Sequence, residues 1–279
     1  MEAIIYFLIF VMGAFFGSFF TLAVYRLPIG EDITHKHSFC PNCHHKLGFL
    51  DLFPIFSYIF LRGKCRYCKK PIRIRYFLLE VLAGLTFLAF ALSLRFDFYQ
   101  IEISKYVYFA FAILYLCTLF IMAGIDKERR VIQKSVFIFG LFVVACYILY
   151  LYIVEHANIY RYVIYLVIML ILVVIETWIL RKKAKNCYPI QVVNLCIYMG
   201  IFAGEEILML TVIYTLLAIA FSLLLHKIFY HKKKVDISSL DHIAKEELEQ
   251  KKVEIPIGFY LCITNIILLI FTQFIINYV

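Results

Sequence analysis

The sequence predicts an all-α, polytopic membrane protein of about eight transmembrane helices, with a small four-cysteine insertion between the first two helices. Of its 279 residues, 64% are hydrophobic and only 17% are charged, a composition far outside that of soluble domains. The apolar residues form runs close to the roughly 20 residues that a spanning helix needs. Four cysteines are concentrated in a basic, polar segment after the first run.

The predicted spans follow from these apolar runs. The sixth run is the weakest, because it contains Pro189, Asn194 and Gly200, and we expect it to be short or tilted. The first run lacks a basic lead, so we expect a retained helix and not a cleaved signal peptide. The predicted spans lie near 3–25, 76–94, 106–125, 135–153, 162–180, 188–203, 207–226 and 255–277.

Three parts of the chain are therefore expected. Residues 1–25 form the first transmembrane helix, residues 26–75 form the four-cysteine insertion, and residues 76–279 form the rest of the membrane domain.

The basic residues predict one orientation in the membrane. Lys and Arg are concentrated at 26–75, 127–134, 181–185 and 227–252, whereas the alternate loops hold very few. By the positive-inside rule these four loops are cytoplasmic, and both termini lie outside. Membrane insertion and contact with anionic lipids account for the formal charge of +9, so lipid is an expected partner and nucleic acid is not.

The cysteines form two Cys-x-x-Cys pairs, Cys40 with Cys43 and Cys65 with Cys68, separated by 21 residues. Two such turns present four thiolates, which is the ligand set of tetrahedral structural zinc. Disulfides or unrelated thiols are the alternatives, but stable disulfides are uncommon in a reducing cytoplasm. We therefore expect a zinc-ribbon-like insertion, in which metal stabilises a segment too small to bury a large core.

Two further features belong to this insertion. His44 and His45 directly follow Cys43 and offer alternative ligands, but we expect them in solvent because four cysteines complete the set. The apolar stretch from Asp51 to Phe60 is expected either to lie against the membrane surface or to form the core of the loop.

The N-terminal motifs form a dense, ordered series. They are Gly17-Ser18-Phe19, Tyr25-Arg26-Leu27-Pro28, the two cysteine pairs, Pro54-Ile55-Phe56-Ser57-Tyr58, Arg62-Gly63-Lys64-Cys65 and Arg73-Ile74-Arg75-Tyr76. This series resembles the N-terminal region of bacterial type IV prepilin peptidases. Near the other end, Ile255-Pro256-Ile257-Gly258 is similar to a Pro-Phe-Gly-Pro stretch of that family.

The resemblance implies a membrane aspartic endopeptidase of the bacterial inner membrane, acting on type IV prepilins or pseudopilins. Such an enzyme removes the basic leader at the cytoplasmic face. In many members it also methylates the new amino terminus with S-adenosylmethionine. The sequence holds no glycine-rich strand-to-helix turn for a cofactor, so S-adenosylmethionine rests on the resemblance alone.

Aspartic proteolysis needs two carboxylates that share one proton. The resemblance points to Asp126 as the first, since it ends an apolar run just before a basic stretch. A solvated aspartate at a helix end is the alternative interpretation. The family commonly has Pro-Asp seven and eight positions later, where this chain has Gln133-Lys134.

The second aspartate of the family is not found. Aligning residues 200–204 with the glycine-aromatic turn that follows the family's Gly-x-Gly-Asp motif places Val192 at the aspartate position. Glu205 and Glu206 also follow a glycine, but the predicted topology places them a membrane thickness from Asp126.

Two glutamates are candidates for the missing acid. Glu80 matches a further glutamate of the family and suits a supporting or methyl-transfer role, whereas Glu176 matches no motif. Either is equally well explained as a buried, hydrogen-bonded helix acid. Three functions therefore stay open: a prepilin peptidase, a relative that retains only methyl transfer, and a non-enzymatic protein that binds prepilins or organises their assembly.

Overall fold

The computed structural model describes residues 2–33, 37–40, 42–97, 102–156, 158–182, 188–234 and 255–278. Most of the predicted basic segment 227–252 lies outside the described residues. Within them the chain is helical, with two isolated bridges and no strand. The helices are α1 (Glu2–Arg26), α2 (Phe49–Leu52), α3 (Phe56–Phe60), α4 (Ile74–Ser93), α5 (Ile103–Arg129), α6 (Lys134–Ile153), α7 (Tyr160–Lys182), α8 (Tyr188–Ala203), α9 (Glu205–Lys234) and α10 (Ile257–Tyr278). A short 3-10 turn, Leu27–Ile29, follows α1.

Among the described residues, 7 helices are long and apolar enough to cross a membrane. The eighth predicted span is α8, whose 16 residues extend about 24 Å, less than the roughly 30 Å of a hydrocarbon core. Even so, α8 runs between the two ends of the bundle. Tyr188 at its start contacts Gly258 of α10, and Phe202 near its end stacks on Tyr108 near the start of α5. The predicted all-helical, multi-pass fold is confirmed.

Helix α5 lies at the centre of the bundle. Within its apolar window 61% of the residues are buried, against 11% for α7. Tyr115 of α5 stacks on Phe202 at 4.2 Å, and its hydroxyl donates to Asn265 of α10 at 2.6 Å. Asn265 donates in turn to Thr211 of α9 at 3.1 Å. A polar chain therefore joins three helices where the surroundings are otherwise apolar.

The two ends of the bundle carry different groups. At the end that holds the four-cysteine insertion, Arg75 at the start of α4 pairs with Glu128 at the end of α5 at 2.9 Å. At the opposite end, Arg95 donates to the Asn277 carbonyl at 3.3 Å. Which end faces the cytoplasm stays a prediction from the distribution of charge.

Helices α1 and α4 approach closely at glycines spaced as Gly13-x-x-x-Gly17. A Cβ at Gly17 would lie 2.8 Å from the Cα of Glu80 and 2.9 Å from the Cβ of Ala83. These neighbours are backbone or the first side-chain atom, so neither can rotate away. Because glycine has no side chain, the two helices can pack at this short separation.

We expect Gly17→Ala to destabilise the protein by about 1–3 kcal/mol, because the two helices would have to separate. Gly200→Ala is the matched control, since its Cβ would meet only the flexible end of Leu208 at 2.9 Å. Thermal unfolding in detergent should show a lower midpoint for Gly17→Ala and little change for Gly200→Ala. Equal midpoints for the two variants would contradict this account of the packing.

Candidate metal centre and acid site

The four loop cysteines converge on one point. The sulfur atoms of Cys40, Cys43, Cys65 and Cys68 all lie within 4.8 Å of one another, and those of Cys40 and Cys68 are 3.8 Å apart. Tetrahedral zinc with Zn–S bonds of about 2.3 Å places its sulfurs about 3.8 Å apart. All four cysteines are free, which excludes the alternative of two disulfides. The cluster could hold a metal ion.

The two cysteine turns have the same local geometry. The Cys40 carbonyl accepts the N–H of His44 at 2.8 Å, and the Cys65 carbonyl accepts that of Lys69 at 3.0 Å. His44 and Lys69 each adopt a positive φ, 56° and 60° respectively. Each turn thus folds back so that both of its thiols face the same centre.

The backbone of the first turn favours the metal-binding form of its leading thiol. Burial disfavours the thiolate of Cys40, but hydrogen bonds from the backbone of Cys43 and Asn42 outweigh it and lower the Cys40 pKa from 9.0 to about 7. A thiolate is the form that coordinates metal.

The neighbouring histidines are not part of the cluster. His44 stacks on Phe39 at 5.9 Å, and His45 packs on Tyr67 at 3.5 Å. This agrees with the prediction that four cysteines complete the set.

Asp51 braces the insertion internally. It accepts hydrogen bonds from Arg66 at 2.6 Å and from the Gly48 N–H at 3.2 Å. Burial raises the pKa of Asp51, but these hydrogen bonds outweigh it and hold the pKa below its usual value. The contact joins α2 to the second cysteine turn.

Asp126 is buried at the end of α5, with 1% of its surface exposed. Its Oδ2 accepts the N–H of Phe259 at 2.8 Å, and the Tyr188 hydroxyl lies beside the same carboxylate. Tyr188 in turn accepts the N–H of Gly258 at 3.1 Å. Asp126 therefore holds the first turn of α10, where a carboxylate satisfies free N–H groups. A solvated helix-end aspartate is excluded.

The two carboxylate oxygens of Asp126 differ in their hydrogen bonding. Oδ1 is buried and has no hydrogen-bond partner among the described residues. A Cβ at Gly258 would lie 3.1 Å from Oδ2, so only glycine leaves the carboxylate its room there. One oxygen of the acid is anchored, and the other is buried without a partner among the described residues.

Glu176 of α7 is also buried, with 4% exposure. Its carboxylate accepts a hydrogen bond from Gln191 at 2.9 Å and lies 3.6 Å from the ammonium of Lys134. Gln191 directly precedes Val192, the position aligned with the missing aspartate. Glu176 therefore lies beside the first turn of α8.

Glu80 has a different setting. Its Oε2 accepts the N–H of Ile55 at 2.8 Å, and the Ser18 side chain lies beside the same carboxylate. It joins the insertion to α1 and α4. None of the contacts that the structure gives Asp126 involves Glu80 or Glu176.

The other acid considered from sequence is far away. Glu205 accepts a hydrogen bond from Tyr165 at 2.5 Å, at the end of the bundle opposite to Asp126. This arrangement is the one that the predicted topology required.

Tyr188 and Gln191 are the site residues that sequence reasoning missed. Tyr188 matches no motif, and Gln191 lies in the stretch aligned with the second-acid motif but carries none of its residues; their places on the first turn of α8 bring them to the two acids. The similarity of residues 255–258 to a family motif was a usable signal for the α10 side of the site.

Comparison with known proteins gives a consistent result. Residues 11–94 match the family model of the bacterial Peptidase A24 N-terminal domain. The chain is 41% identical over 81 residues to a protein from Myxococcus xanthus, covering 29% of this chain and 24% of that protein. It is 36% identical over 85 residues to one from Klebsiella pneumoniae, covering 28% and 37% respectively. It is 30% identical over 134 residues to one from Bacillus subtilis, covering 48% and 50%. No solved structure matches the chain.

All three relatives are named prepilin leader peptidase/N-methyltransferase. The matched part of the chain spans half or less of their lengths. The family model includes the four loop cysteines and Glu80 but ends before Asp126 and Glu176. Over its N-terminal part, the chain is therefore similar to bacterial prepilin leader peptidases.

Proposed function

We propose that the protein processes type IV prepilins or pseudopilins as an aspartic leader peptidase, with Asp126 and Glu176 as its two acids. The observation that carries this is the first turn of α8, which contacts two buried carboxylates. Tyr188 of this turn contacts Asp126, and Gln191 contacts Glu176. Glu176 would supply from α7 the acid that α8 lacks at Val192.

The two acids suit different roles in this proposal. Asp126 has an anchored Oδ2 and an unpartnered Oδ1, so Oδ1 would take a proton from the attacking water and then donate it to the leaving amine nitrogen as the C–N bond breaks. Glu176, in its protonated form, would donate to the scissile carbonyl oxygen and polarise the carbonyl. For this it would exchange its contacts with Gln191 and Lys134 for the substrate, and Lys134 is 57% exposed and able to move.

The substrate would be a chain with a basic leader and an apolar helix. The apolar helix would dock between spans, and the leader would lie on the side of the insertion, which the charge distribution makes cytoplasmic. In this proposal the protein would lie in the bacterial inner membrane with its N-terminus outside.

Zinc is the metal that the cysteine cluster fits best. Four thiolates at tetrahedral spacing form a closed structural site with no open position for a substrate. The metal would stabilise the insertion and take no part in the reaction. Methyl transfer with S-adenosylmethionine is supported by the names of the relatives alone.

A second candidate is a relative without peptidase activity. Val192 at the second-acid position favours it, as does the engagement of Glu176 by Gln191 and Lys134. Such a protein would add a methyl group, about 14 Da, to a precleaved pilin, or would bind prepilins without changing their mass.

Reconstituted protein incubated with a prepilin separates the two candidates. Mass spectrometry should detect loss of the leader with the unaltered protein and no loss with Glu176→Gln. Glu205→Gln, altered at the opposite end of the bundle, is the control and should cleave normally. Cleavage by Glu176→Gln at the normal rate would exclude Glu176 as an acid. An unaltered protein that binds prepilin without cleaving it would favour the second candidate.

A further inference from the structure

The segment between the two cysteine pairs reaches far along α1. Phe53 packs edge-on against Phe15 of α1, with ring centroids 5.2 Å apart. Residues 53–56 also line a narrow cavity with Phe10, Val11 and Ala14. A loop that stayed outside the bundle would not meet these residues in the middle of a spanning helix.

The depth of this contact follows from helix geometry. Phe15 is 11 residues before Arg26, the last residue of α1, which corresponds to about 16 Å. Helix α1 has 25 residues and is about 37 Å long, roughly 7 Å more than a hydrocarbon core. If all of that excess lay on the insertion side, Phe15 would still be about 9 Å below the boundary.

The backbone of the segment is suited to this depth. The N–H of Ile55, whose φ is +65°, donates to the Glu80 carboxylate at 2.8 Å. The N–H groups of Ser57 and Ile59 donate to the carbonyls of Phe53 and Ile55 at 3.0 and 3.1 Å. Backbone groups in lipid need such partners, because no water is present to replace them.

The outward face of the segment is apolar and uncovered. Its exposed side chains are Phe49 (72%), Leu50 (70%), Phe56 (44%), Ile59 (56%) and Phe60 (80%). The segment adjoins α1, whose Phe15 is itself 40% exposed toward the surroundings of the bundle. The residues that follow it, Arg62 and Lys64, are exposed and basic, which suits anionic headgroups just above the acyl chains.

We propose that residues 49–60 form a re-entrant hairpin whose apolar face contacts the acyl chains of one leaflet. The sequence predicted contact with the membrane surface; the contacts along α1 place the hairpin deeper, inside that surface. The hairpin fixes the four-cysteine site at headgroup level, and Glu80 acts as its positioning residue by holding the Ile55 N–H. The proposal does not depend on peptidase activity.

Tryptophan fluorescence in vesicles tests this proposal on the full chain. Trp178 is the only tryptophan, so Trp178→Phe provides a silent background. Phe60→Trp is the test variant, and Phe39→Trp, in the first cysteine turn, is the matched control. The vesicles contain phosphatidylethanolamine and phosphatidylglycerol, with or without lipids brominated midway along the acyl chain.

We expect Phe60→Trp to emit at the shorter wavelength of an indole in apolar surroundings and to lose most of its fluorescence to brominated lipid. Aqueous iodide should quench it far less than it quenches Phe39→Trp. Equal iodide quenching of the two would overturn the proposal. Protection of Phe60→Trp from iodide only after addition of a prepilin would also overturn it, because the face would then be a prepilin-docking surface. Phe49→Trp provides a second position, and bound zinc verifies that each variant is folded.

Discussion

Replacement of Asp126 by asparagine is expected to abolish leader cleavage and leave the fold intact. Asparagine has the same shape and retains an oxygen that can accept the Phe259 N–H, so α10 should keep its start. It cannot take a proton from water, and loss of general acid–base catalysis typically lowers a rate by roughly 10²- to 10⁴-fold.

The measurement is single-turnover cleavage of a prepilin followed by mass spectrometry, with thermal unfolding recorded on the same samples. Glu128→Gln is the matched control, since Glu128 is an exposed acid at the same helix end, paired with Arg75. Exposed pairs contribute little, so cleavage and unfolding should both change little in this variant. Normal cleavage by Asp126→Asn would remove the case for an aspartic mechanism.

Replacement of Cys65 by serine is expected to release the metal and unfold the insertion. Structural zinc sites contribute an apparent binding free energy of about 10–16 kcal/mol, and this energy is coupled to folding of the surrounding segment. Cys65 is buried with 4% exposure, and its backbone shapes the second turn through Lys69. Loss of Cys65 therefore removes one thiolate ligand, and the second cysteine turn loses the metal bond that stabilises it.

Zinc content by mass spectrometry and limited proteolysis of residues 26–75 would test this expectation. The unaltered protein should hold about one zinc per chain and resist proteolysis within residues 26–75. Cys65→Ser should bind no zinc and should be cleaved in this segment. Cys146→Ser on α6 is the control, because that cysteine is outside the cluster and should leave zinc content unchanged. An unaltered protein without zinc that still resists proteolysis would contradict a structural metal.

Local sequence patterns predicted the features that depend only on residues close together in the sequence. The apolar runs predicted the seven candidate spans and the shorter α8, and the Cys-x-x-Cys spacing predicted the cysteine cluster. Asp126 was located as a candidate, but its hydrogen bond to Phe259 joins residues 133 positions apart. Such a contact depends on how two helices rotate and slide against each other, which hydrophobic periodicity does not determine.

The same limit applies to the other acids. The contact between Glu176 and Gln191 depends on how α7 is rotated against α8. Helices that are apolar on all sides have no amphipathic stripe from which that rotation could be predicted. That Glu80 holds Ile55 depends on a hairpin folding back along α1, for which the sequence offered only an apolar stretch.

The bond between Asp126 and α10 links the protonation of the acid to the position of a helix. The hydrogen bond from Phe259 is charge-assisted only while the carboxylate is ionised, and such bonds are about twice as strong as neutral ones. In a peptidase cycle the acid would be neutral just after it had taken the proton from water. The start of the last helix would then be held least firmly while the tetrahedral intermediate exists, and would be held again once the proton has passed to the leaving amine.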